Sequence, residues 1–122
     1  MVEDTQESRR SAEKVVLQSI VNCEKMQPKF AEGTAQHSLL RERLKALKIV
    51  QSLLAADEHS QDYSCAELVS ALPPIESIRR KTAKARSKHS PDTAVYKRLT
   101  PLITAMTLAQ ALLEEAIRKH TP

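Results

Sequence analysis

The chain predicts an all-α fold: a four-helix bundle built from two pseudo-symmetric helical hairpins, with a short extra helix near 65–72. Three observations predict it. Residues 25–54 read again 59 positions later, so that Lys25, Lys29, Thr34, Ala35, Leu40, Ala46, Gln51, Leu53 and Leu54 recur as Lys84, Lys88, Thr93, Ala94, Leu99, Ala105, Gln110, Leu112 and Leu113. Nine identities in thirty positions, where about two are expected at background frequencies, mark a duplicated unit. One Gly, no Trp and 2% aromatic residues leave little material for strands and tight hairpins. Apolar residues recur every three or four positions, the period of a helix face. At 122 residues the chain is one domain, large enough to bury roughly two-thirds of its unfolded surface. Hairpin repeat 1 covers about 4–56, a linker 57–63, and hairpin repeat 2 about 64–120.

In the first helix Ala12, Val16, Ile20, Cys23, Met26 and Phe30 share one face. Asp4 or Ser8 caps its start, and Pro28 ends or bends it by removing a donor. Gly33 permits the turn, and Thr34 caps the second helix with its hydroxyl. Leu40, Leu44, Leu47 and Leu54 form that helix's central stripe, widened by Leu39, Val50 and Leu53, to about Ala56. Ser64 through Glu67 fits a capping box, opening a short helix to Leu72. Pro73-Pro74 interrupts it, with Pro74 placed as the first residue of a helix over 75–88. Ser90-Pro91 repeats the cap-then-proline arrangement ahead of the last helix, which buries Tyr96, Leu99, Ile103, Met106, Ala109, Leu113 and Ile117. Pro101 inside it predicts a kink near Leu99 or a restart at Thr100.

Charge is uneven. Residues 1–61 carry nine Lys or Arg and nine acids, residues 62–122 ten and six, so the formal +4 belongs to the second half. Arg79, Arg80, Lys81, Lys84, Arg86 and Lys88 lie between Glu76 and Asp92 with no acid among them. With Arg80, Lys84 and Lys88 spaced by four, they make a positive ridge suited to a phosphate backbone or an acidic protein surface. Aromatic platforms for single strands and a helix-turn-helix pattern are both missing. The repeated pairs Lys25/Lys84 and Lys29/Lys88 each precede a Thr-capped helix start, where free N–H groups favour anions.

Other polar residues fall on apolar faces. At 100° per residue from Leu40, Gln51 lies near about +20° and Arg43 near about −60°, inside the leucine arc. Gln110 holds the matching place on the last helix, which makes Gln51, Gln110 and Arg43 a candidate buried polar group, either structural or a site. Leu17 and Val21 fall outside the first helix's stripe and are candidates for an oligomer contact.

Little supports catalysis. No Glu-x-x-His pair or other set of inward acids and histidines is present, and His37 and Tyr96, equivalent in the two copies, flank the capped turns, where they either bind or only cap. Cys23 and Cys65 share no close spacing with each other or with the histidines, so neither a zinc site nor a redox pair is signalled, and no cofactor or metal is expected. No apolar run approaches the roughly 20 residues of a membrane span, and residues 1–7 are polar where a signal peptide is hydrophobic. The reading is a cytoplasmic, non-enzymatic interaction module that binds a protein partner or self-associates. It has no membrane contact and no evident small-molecule substrate, and nucleic-acid binding through the basic helix 79–88 is the alternative.

The stretch Lys29-Phe30-Ala31-Glu32-Gly33-Thr34-Ala35-Gln36-His37, followed by Leu39-Leu40, Arg43 and Lys45-Ala46-Leu47, resembles small uncharacterised helical proteins of Gram-positive bacteria. The second copy echoes it more weakly, with Pro91-Asp92 for Glu32-Gly33 and Tyr96 for His37. The resemblance implies the duplicated hairpin fold and no activity.

Overall fold

The computed structural model describes residues 5–120. Four helices, α1 (Gln6–Met26), α2 (Ala35–Ala55), α3 (Cys65–Arg86) and α4 (Ala94–His120), pack as a bundle. Each helix touches its chain neighbours, and α1 and α4 close the ring. Short connections make successive helices antiparallel. The connections 27–34 and 87–93 therefore share one end, and the 56–64 connection shares the other with the start of α1 and the end of α4. Among the described residues α2 and α4 also touch across the diagonal, whereas α1 and α3 do not.

Local chemistry sets the helix starts. Thr5 caps α1 and exchanges hydrogen bonds with Ser8: the Ser8 N–H donates to Thr5 Oγ1 at 3.0 Å and the Thr5 N–H to Ser8 Oγ at 2.8 Å. Ser8 thus serves as the third-position partner and Thr5 as the cap; the other expected cap, Asp4, lies outside the described residues. Pro28 ends α1 as expected, within a 3₁₀ turn over Gln27–Lys29. Gly33 takes φ +85°, a left-handed conformation that side chains disfavour, and Thr34 Oγ1 accepts the His37 N–H at 3.2 Å to open α2. At the end of α2, Ala56 adopts φ 50°, and Asp57 accepts from the buried Ser52 hydroxyl at 2.6 Å and the His59 N–H at 2.9 Å. These bonds, the Ser52 hydroxyl first, hold the Asp57 carboxyl below its ordinary range.

The expected capping box opens α3, with the Glu67 N–H on Ser64 Oγ at 3.1 Å and the Ser64 N–H on Glu67 Oε1 at 3.0 Å. Here the structure departs from expectation: 65–72 is not a separate short helix but the first turns of α3, which runs through Pro73 and Pro74 unbroken. The two prolines leave the Val69 and Ser70 carbonyls without their helical donors. Val69, Ser70 and Pro73 are all exposed, so water can solvate the freed carbonyls. Pro101 likewise lies exposed within a continuous α4, with no restart at Thr100. That helix begins three residues later than Ser90-Pro91 suggested, because Thr93 supplies the cap and accepts the Tyr96 N–H at 3.3 Å. Ser90 instead accepts the Thr93 N–H at 3.0 Å in the preceding turn.

Val16, Leu47, Val50, Leu68, Ile75, Met106 and Leu113 are the large side chains sealed at the centre. Burial of each contributes about 1.5–3 kcal/mol against the entropy of ordering the chain. Met26, expected on the buried face of α1, is 45% exposed, because it lies at the bundle's end. The helix starts Gln6 and Cys65 are 59 positions apart, as are Ala35 and Ala94. At the same spacing Ala12/Ala71, Val16/Ile75, Ala46/Ala105, Leu47/Met106, Ile49/Leu108, Val50/Ala109 and Leu54/Leu113 are buried in both members.

Candidate interaction surface

The basic run on α3 is not one uniform ridge. A residue every 100° turns some of its six cations toward α4 and leaves others outside. Arg79 is half-buried and its Nε donates to Gln110 Oε1 on α4 at 3.3 Å. Arg86, also half-buried, donates from Nη1 to Thr100 Oγ1 at 3.2 Å and lies 4.6 Å over the Tyr96 ring, a cation–π contact. Arg80 is exposed and faces Glu76 one turn back at 3.8 Å. Lys81, Lys84 and Lys88 remain exposed, with no ion pair among the described residues. Arg79 and Arg86 therefore fasten α3 to α4, while Lys81, Lys84 and Lys88 carry the open charge.

Two cations that sequence reasoning passed over extend this end of the molecule. Lys97 and Arg98 are exposed on the first turns of α4, which lie beside the last turns of α3 because the helices are antiparallel. They fall outside the acid-free run, so only the hairpin's return could have revealed them. Lys25 and Lys29 are exposed at the same end, on the other connection. The helix starts there are already partly satisfied, since Thr34 and Thr93 each accept an N–H that an anion would need.

Gln51, Gln110 and Arg43 do not form one hydrogen-bonded group. Gln110 bonds Arg79, while the Gln51 side chain is half-buried and makes no hydrogen bond among the described residues. Arg43 does not reach Glu24, which pairs with Lys48 at 3.8 Å, and its Nε is buried without a hydrogen-bond partner. Its charge lies near Cys23, whose thiol burial pushes up from the ordinary value, the Arg43 charge opposing that shift. The corresponding residue of the second hairpin is Leu102. Arg43→Leu is expected to raise stability by about 1–2 kcal/mol, since a buried unpaired donor costs about 1–3 kcal/mol. The urea unfolding midpoint at constant m-value measures this, and a midpoint below wild type would show that Arg43 contributes packing worth more than its stranded donor costs.

Leu17 and Val21 are 45% and 40% exposed, each one residue past the buried Val16 and Ile20. His37 and Tyr96 sit half-buried at the third positions of α2 and α4, each donating its backbone N–H to the capping threonine. Among the described residues no group of three His, Cys, Asp or Glu converges to hold a metal ion, and no helix is long and apolar enough to cross a membrane. Comparison of the chain with protein-family models, with curated proteins and with solved structures finds no match.

Proposed function

We propose that this chain is a non-enzymatic helical module that binds an acidic surface of a protein partner through the outer side of α3. The supporting observation is the division of the basic run: Arg79 and Arg86 are tied to α4, while Lys81 and Lys84 stand exposed on α3 and Lys88 in the turn just past its end. A fixed array of like charges steers an oppositely charged partner and selects against basic ones. A duplicated hairpin underlies the fold in this reading, supported by the shared spacing of helix starts and buried positions. The likeness to small Gram-positive helical proteins belongs to the same reading. So does a cytoplasmic setting, consistent with two free thiols.

Fluorescence anisotropy with a labelled polyglutamate peptide and a labelled DNA duplex tests the reading. The peptide is expected to bind at about 50 mM salt, and Lys81→Glu/Lys84→Glu/Lys88→Glu to weaken it about tenfold or more with helicity unchanged. Tighter binding of the duplex, falling by about a thousandfold between about 50 and 200 mM salt, would replace this reading with phosphate-backbone recognition. Binding of neither probe would end both. Self-association through Leu17 and Val21 is read separately, as a sedimenting dimer that Leu17→Glu dissolves.

A further inference from the structure

The bundle end opposite the basic connections holds an open cleft of about 970 Å³ between the start of α1, the 56–64 connection and the last turns of α4. Alanine makes the room. Ala56, Ala111 and Ala116 line it where longer side chains would fill it. Its floor is apolar, from Leu53, Leu68, Leu108 and Leu112. Arg9, Arg118 and Lys119 line it, and among the described residues one carboxylate does, Glu115, which is ion-paired with Arg118. His120 adds a ring nitrogen to the same rim. The acids of the connection do not line the cleft, and two are engaged locally: Asp57 by Ser52 and the His59 N–H, Asp62 by the His59 ring at 3.1 Å.

We propose that this cleft binds a free medium-chain fatty-acid carboxylate, its chain along the leucine floor and its head at Lys119 and His120. The volume lies at the upper end of the range for small-molecule sites, about 300–1,000 Å³. An apolar floor with a net-positive rim matches a ligand with one apolar body and one negative end. Among the described residues the lining has no aromatic ring on which a nucleobase could stack. A free acid fits better than a bilayer, because the exposed Asp57, Glu58 and Asp62 at the same end would repel an anionic lipid surface. The site stands apart from the α3 lysines, so this proposal and the proposed function fail or succeed independently.

Calorimetric titration of the full chain with octanoate, decanoate and dodecanoate below their micellar ranges tests it, with dodecanol as the uncharged control. Affinity is expected to rise about two- to fourfold per added methylene as the chain leaves water. Ala111→Trp, at an exposed lining position, should weaken dodecanoate about tenfold or more with the circular dichroism melt unchanged. Lys119→Glu should weaken dodecanoate about threefold or more and leave dodecanol unaffected. The triple lysine variant of α3 should bind dodecanoate like wild type. Failure of wild type to bind dodecanoate would overturn the proposal, as would equal binding by Ala111→Trp. So would a dimer dissolved by Ala111→Trp in a chain that ignores the fatty acid, since a second copy would then occupy the cleft.

Discussion

Leu47→Ala is expected to cost about 2–5 kcal/mol, and Met106→Ala about the same. Both side chains are wholly buried, and they occupy corresponding places on α2 and α4, the two helices that touch across the bundle's diagonal. These helices run in the same direction, and their starts are 59 positions apart. Truncation there removes transfer free energy and leaves a cavity that four packed helices cannot close from any side. Against a total stability of about 5–15 kcal/mol, either change removes a large fraction of it. Urea unfolding measures both, and a double-mutant cycle between them should show coupling of about 0.5 kcal/mol or more if the pair shares one layer. Leu17→Ala, at a 45% exposed position, is the control and should change stability by less than about 0.5 kcal/mol. A small loss at Leu47 would mean that the diagonal is not the centre of the core.

Pro73→Ala is expected to stabilise the fold by about 1–3 kcal/mol. Proline inside a helix is about 3 kcal/mol worse than alanine, and its restriction of the unfolded chain returns only about 0.4–1 kcal/mol. The substitution restores an N–H for the Val69 carbonyl, and because Pro73 is exposed it removes no core packing. Pro74 is half-buried, so Pro74→Ala should gain less. The rise in urea midpoint reads the effect. An unchanged or lowered midpoint would indicate that α3 depends on the proline pair for its path along α2 and α4.

Caps and core were largely legible, because both are written in short-range pattern. Thr34, Ser64 and Glu67 perform the capping expected of them, and Leu40, Leu47, Leu54, Met106 and Leu113 are buried where the helical period puts them. The interior prolines follow a different rule from Pro28, which does end its helix. Proline's local cost predicted interruptions at Pro73-Pro74 and at Pro101, yet both helices continue, since tertiary packing along their whole length outweighs one or two lost hydrogen bonds on a solvated face. Ser90 does not cap α4, because Thr93, three residues on, takes that role.

The interaction surface was half legible. Composition identified six cations on 79–88 but could not separate the arginines held by Gln110, Thr100 and Tyr96 from the lysines left free, because those partners lie on another helix. For the same reason Gln110 bonds Arg79 rather than Gln51, and Lys97 and Arg98 join the basic end unannounced.

By itself the sequence determined the helical class, the caps of α2 and α3 and most of the core, since hydrophobic period and capping act within a few residues of each other along the chain. Only the tertiary structure decided which prolines are tolerated, which cations are free and where alanines leave a cleft. Those outcomes depend on what a second helix places opposite each side chain, and that distance is measured through space rather than along the chain.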